Sequence, residues 1–126
     1  MAVAGNVVAQ TLSLIKETTQ PGTTLLDIDA LAREELKKHS ATSSFLGYHG
    51  YPAAVCTSVN EQVVHGIPSK YALQSGDILS VDFGAIVDGW HGDSAITMLI
   101  GDVTDEAVAL SDVTYRAMWA GIRASV

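Results

Sequence analysis

An Asp-Gly pair, Asp88-Gly89, stands between two long β-rich runs, and no other feature of the chain limits its folding as tightly. The first run, Ile78 to Val87, reads ILSVDFGAIV; the second resumes at Trp90 and ends in Ile96, Thr97, Met98, Leu99 and Ile100. A two-residue type I′ turn needs positive φ at both central positions, which Asp and Gly tolerate, so the pair predicts a tight antiparallel hairpin over residues 77–100. The turn then sets the register. Val87 faces Trp90, Ile86 faces His91 and Gly84 faces Asp93. Side chains alternate faces with a period of two, so Asp82 shares a face with Gly84 and therefore with Asp93. The two aspartates become diagonal neighbours, roughly 7–8 Å apart at the backbone.

Two carboxylates at that spacing can close on one divalent cation, or on a pair of cations about 3.5–4 Å apart. The plainer alternative is that both mark the solvated side of an ordinary hairpin. Against it, the same face carries Gly84 and no Lys or Arg to balance the charge. Carboxylates held this close repel, and one pKa is driven up unless a cation sits between them. Pattern alone leaves both alternatives standing.

Composition narrows the function classes. A chain of 126 residues is one small domain or a piece of a larger one. Its hydrophobic share of 48% and mean hydropathy of +0.25 are high for its length, so some apolar surface is expected to want a partner. Seven basic against fourteen acidic residues give a net charge of −7, with no Lys/Arg cluster, which speaks against DNA or other nucleic-acid binding through phosphates. The lone Cys56 cannot build a disulfide framework, and the amino terminus lacks the basic and apolar regions of a signal peptide. No stretch reaches the roughly 18 apolar residues of a membrane span. A soluble, cytoplasmic protein is expected.

Helical spacing of Val3, Val7, Val8, Leu12 and Ile15 predicts a helix over residues 2–19, ended by Pro21-Gly22. A second runs from about Leu26 to His39, with Ile28, Leu31, Ala32 and Leu36 on one stripe and Glu34, Glu35, Lys37 and Lys38 facing water. Residues 40–52 read as a loop closed by Pro52, and residues 53–59 as a strand. After the hairpin, Thr104 can cap a third helix whose first turn holds Asp105 and Glu106 and which carries Ala107, Leu110, Val113, Ala117 and Ile122. The fold class is α+β, with helices packed on one face of a small antiparallel sheet.

Residues 45–93 carry a resemblance. The segments FLGYHGYPAAVCTSVNEQVVHGIPS and SGDILSVDFGAIVDGWHGD are similar to the type I methionine aminopeptidases, metal-dependent enzymes of the pita-bread (creatinase/aminopeptidase) fold. Three motifs occur in the right order, and the flanking helices fit. The resemblance implies that residues 1–126 form a single domain, the amino-terminal half of a pita-bread catalytic domain whose second half is absent. It implies that Asp82 chelates one metal ion, that Asp93 bridges two, and that His65 hydrogen-bonds the scissile region of the substrate. Tyr48, Tyr51 and Cys56 match positions lining the methionine side-chain pocket. Read in isolation, His65 is a satisfied loop histidine, and the tyrosines and cysteine are plain packing. Phe45 departs from the small or sulfur-bearing residue of some relatives, which puts pocket shape in question there. Asn60 and the backbone near it resemble a segment that holds a monovalent cation. His91 is not a ligand in the family, and His49 and His39 are taken as structural or solvated.

The implied cofactors are two divalent ions, Co, Mn, Fe or Zn, incompletely liganded in this chain. The family's further histidine and two glutamates come from the missing half, and Glu17, Glu34, Glu35, Glu61 and Glu106 sit in no matching motif. The implied activity is removal of the initiator methionine from nascent chains, near the ribosome, with this chain inactive until joined by its C-terminal half and prone to self-association alone. Two alternatives are kept. One is an Xaa-Pro peptidase of the same fold, against which YHGYP with Cys56 argues. The other is a non-catalytic pita-bread binding module, which would have no reason to keep two repelling carboxylates.

Overall fold

The hairpin forms as its turn predicts: Asp88 and Gly89 have φ of 50° and 77°, and the pairs Val87–Trp90, Ile86–His91, Gly84–Asp93 and Asp82–Ala95 follow in register. The computed structural model describes residues 1–125, in the order α1 (Ala2–Thr18), α2 (Leu25–Lys38), β1 (Thr42–Ser43), a 3₁₀ turn (Tyr48–Gly50), β2 (Val55–Val59), β3 (Ile78–Val87), β4 (Trp90–Leu99) and α3 (Asp105–Ala124). Strand β3 is central. One of its edges pairs with β4 along its whole length; the other is shared by β2, opposite Leu79–Phe83, and by the short β1, opposite Ala85 and Ile86. All pairings are antiparallel.

Alternation gives this sheet two different faces. Leu79, Val81, Phe83 and Ala85 are completely buried on one, where they meet Val7, Val8, Leu12 and Ile15 of α1 and Ile28, Ala32 and Leu36 of α2. The opposite face carries Cys56, Ser58, Ser80, Asp82, Gly84, Asp93, Ala95 and Thr97, all small or polar. Helix α1 lies close on the hairpin because Gly92 has no side chain. A Cβ there would stand 2.6 Å from the Ala4 carbonyl carbon and from the Gly5 nitrogen.

Helix α2 starts at a capping box, in which the Thr24 hydroxyl accepts from the Asp27 N–H while the Asp27 carboxylate accepts from the Thr24 N–H. One turn on, buried Asp29 accepts from the Ala54 N–H and from Arg33 Nε, each at 2.7 Å, and Arg33 also donates to the Pro52 carbonyl. This pins the helix to the start of β2. Glu35 corrects a sequence expectation. It is 7% exposed rather than facing water, and its carboxylate accepts from Lys38 with His39 Nε2 at 3.7 Å.

Two further features lie inside the segment expected to be a loop. Thr42–Ser43 pairs with β3 as β1, and Tyr48–Gly50 coils into a 3₁₀ turn entered through Gly47 at φ 85°. Helix α3 forms under the predicted Thr104 cap, whose hydroxyl accepts from the Ala107 N–H. Its apolar stripe is not covered, however: Ala107 is buried, whereas Leu110, Val113 and Ile122 are exposed. The first turns of α3 border the small and polar face of the sheet, beside Ser58, Ser80 and Thr97. Among the described residues no helix is long and apolar enough to cross a membrane.

Candidate metal centre and pocket

Asp82 and Asp93 project from adjacent strands into one cleft of about 420 Å³, lined also by Phe45, Tyr48, Tyr51, Cys56, His65 and Ile67. The shared face follows from the hairpin register, and β2 extends the row by placing Cys56 directly across from Asp82. The segment before the 3₁₀ turn is fastened to the same strand. Ser44 N–H donates to the Gly84 carbonyl, and a Cβ on Gly84 would lie 2.8 Å from Ser44 Cβ and 3.0 Å from Phe45 Cε1. Glycine opposite Asp93 is what lets the Phe45 wall stand beside the carboxylates.

The electrostatics are those of an acidic pair with no Lys or Arg partner among the described residues. Burial pushes the Asp82 carboxyl up to about 6; the charge of Asp93 and a hydrogen bond with it push the same way, and His65 opposes them. Burial likewise raises Cys56, with the neighbouring Tyr51 hydroxyl acting downward and the two aspartate charges upward. Tyr51 is raised as well, by burial first and then by Cys56. Among the described residues the ion pairs are Arg33–Asp29, Lys38–Glu35, His39–Glu35 and Arg116–Asp112, so no basic side chain neutralises Asp82 or Asp93. A hard or borderline divalent cation fits this donor chemistry, since it would offset the repulsion between the two carboxylates. Two carboxylates are only part of a coordination sphere. Among the described residues no group of three or more His, Cys, Asp or Glu side chains is placed to hold one ion.

His65 reaches the cleft from the connection between β2 and β3, with φ at 59°, an uncommon backbone state for a residue with a side chain. Its neighbour Gly66 packs against β2 so tightly that a Cβ would stand 2.2 Å from the Thr57 carbonyl oxygen. The Thr57 N–H donates to the Gly66 carbonyl and the Gly66 N–H to Ser58 Oγ, so the segment is held along the outer edge of β2. Tyr51 adds its hydroxyl, 3.0 Å from the Gly66 carbonyl and 3.2 Å from that of Val55.

The remaining candidates lie apart from the cleft. Asn60, at φ 52°, spends its amide on structure, donating to Asp77 Oδ1 and accepting from the Ile78 N–H. His91 shares the aspartate face and has its Nδ1 3.0 Å from Ser44 Oγ. His49 is exposed and meets Tyr48 edge-on, with ring centroids 4.4 Å apart. Ile67 is a pocket residue that sequence reasoning missed, although its place in VHGIP, one residue past the anchored Gly66, was the available signal.

Comparison with known proteins gives a consistent result. The profile of metallopeptidase family M24 matches residues 1–125. The chain is 50% identical to methionine aminopeptidase 1 of Mycobacterium tuberculosis, over 100% of this chain and 48% of that protein. It is 46% identical to a methionine aminopeptidase of Clostridium acetobutylicum, over 100% of this chain and 51% of the relative. Among solved structures, methionine aminopeptidase from Rickettsia prowazekii superposes with a TM-score of 0.92 at 39% identity, covering 94% of this chain and 48% of that one. The chain therefore spans about half the length of the relatives it matches.

Proposed function

The chain belongs to metallopeptidase family M24, and on that premise we propose that it forms the amino-terminal half of a methionine aminopeptidase site, acting on N-terminal methionine of nascent chains. One observation carries the proposal: Asp82 and Asp93 share a cleft with His65 and an aromatic and thiol wall, and among the described residues no Lys or Arg pairs with either. Asp82 and Asp93 would be the residues of this chain that hold a divalent pair, the metal being Co, Mn, Fe or Zn. When bound, these ions supply Lewis-acid polarisation of the scissile carbonyl and a water acidified towards neutral pH.

The chain's own residues do the rest. Asp82 and Asp93 would supply the carboxylate oxygens that hold the cation. Phe45, Tyr48, Tyr51, Cys56 and Ile67 offer a largely apolar wall to an unbranched thioether side chain and keep water from it. His65 holds a hydrogen bond to the scissile region. The ligands still lacking would come from a polypeptide corresponding to the rest of the relatives' length, docking where α3 is uncovered; without it, copies of this chain associate through that flank. A monovalent cation near Asn60 would have to use backbone carbonyls, because the Asn60 amide is engaged on both sides. The proposed setting is the cytoplasm, close to the ribosome where new N-termini emerge.

The test is to titrate Co(II) or Mn(II) into the chain, alone and with the separately expressed second half, while assaying methionine release from Met-Ala and product release from an Xaa-Pro peptide. Activity on Met-Ala that appears only on mixing is expected. Cleavage of the Xaa-Pro peptide instead would move the assignment to the proline-specific branch, and a lack of metal binding in both preparations would favour a non-catalytic module.

A further inference from the structure

The hydroxyl of Tyr51 has a task that lining a pocket does not require. Among the described residues, Val63, Val64 and His65 take part in no hydrogen bond, and the side chains of all three are exposed. His65 is nevertheless held at positive φ with its imidazole at the cleft. Such a backbone state persists only where its surroundings enforce it. The enforcing point is the next residue. Gly66 is buried against β2, its N–H donates to Ser58 Oγ at 3.0 Å, and its carbonyl accepts from the Thr57 N–H at 2.8 Å and lies 3.0 Å from Tyr51 Oη.

Two of these three bonds come from β2 itself. The third comes from the opposite wall, because Tyr51 ends the 3₁₀ turn and approaches across the back of the cleft. A phenol has one proton to give, and of its two carbonyl neighbours Gly66 is nearer than Val55, at 3.0 Å against 3.2 Å. The acceptor is a backbone carbonyl adjoining His65, so the bond acts on the chain path rather than on a side-chain rotamer. We propose that Tyr51 is a positioning residue for His65: its hydroxyl ties the aromatic wall of the pocket to Gly66 and so sets how far the imidazole reaches towards the carboxylates. This rests on the assignment of His65 to the substrate's scissile region.

The test separates hydroxyl from ring. Tyr51→Phe keeps the ring in the wall and deletes the bond. In the chain as it exists, amide exchange at Gly66 and Thr57 should quicken by roughly three- to tenfold, the worth of one such hydrogen bond, while the Asn60 and Ala54 amides stay as they are. The His65 ring resonances should move or broaden in parallel. In the complemented enzyme the same variant should lower kcat with little change in KM, whereas Tyr51→Leu, which also removes the wall, should raise KM. Unchanged exchange at Gly66 and Thr57 in Tyr51→Phe, with loosening only in Tyr51→Leu, would overturn the proposal, because the ring alone would then matter. Should Tyr51→Phe not fold, the unmodified chain decides: a slowly exchanging Tyr51 hydroxyl proton with a through-space contact to Gly66 is expected, and its absence counts against the bond. Co(II) titration of the unmodified chain reports separately on the metal site, so failure there leaves the exchange result standing.

Discussion

At Asp82 the demands of folding and of cation binding pull apart. Folded, its carboxyl titrates at about 6 against an ordinary value of 3.8, so the folded chain binds this proton more tightly than the unfolded one. That contribution to stability is complete below about pH 4 and is lost as pH rises through about 6. Urea unfolding of the metal-free chain should therefore give a falling midpoint across this window. Asp82→Asn should flatten the fall and abolish the Mn(II)-dependent recovery expected of the unmodified chain near pH 7. A second expectation concerns Gly66. Gly66→Ala places a methyl 2.2 Å from the Thr57 oxygen, and overpacking of this kind costs about 1–3 kcal/mol, readable from thermal unfolding. The aspartate pair was legible in the sequence because a two-residue turn converts spacing into facing with no unknowns. The Tyr51 hydroxyl bond was not, since it joins residues whose separation depends on two loops without any period.

Elements differ in how openly the sequence declares them. Helices α1 and α2 and the hairpin are marked by repeated apolar spacing and by turn chemistry, and all three stand within a few residues of where the pattern places them. Strand β1 left no mark, because two residues are too few to show alternation, and its existence is decided by the spare edge that β3 offers beyond β2. Glu35 misled for a related reason. A charged residue beside Glu34 reads as wet, yet the turn of α2 carries it under Lys38 and His39. Two substitutions test the elements themselves. Thr24→Ala, which breaks the capping box, should cost about 1 kcal/mol in a denaturant titration. Gly92→Ala should cost more, about 1–3 kcal/mol, because the new methyl meets the backbone of α1 at 2.6 Å and the helix must lift off the hairpin.

The whole molecule is covered on one side and open on the other. Helices α1 and α2 seal one face of the sheet, whereas among the described residues the outer edge of β4 is unpaired and α3 presents Val113, Trp119 and Ile122 at 51%, 40% and 45% exposure. A free edge and an uncovered apolar helix both invite pairing. Sedimentation of the isolated chain should show mass rising with concentration, and rising further with salt, since ions screen the repulsion between copies that each carry a net charge of −7. A concentration-independent monomer would reject that expectation. The uncovered flank of α3 has one more consequence, for anyone handling the protein. Its pI is near 4.7, inside the interval across which the stabilising proton on Asp82 is only partly lost. A mildly acidic buffer that keeps the proton on Asp82 therefore also strips the charge that holds copies apart, so what it adds at that carboxyl it takes from solubility.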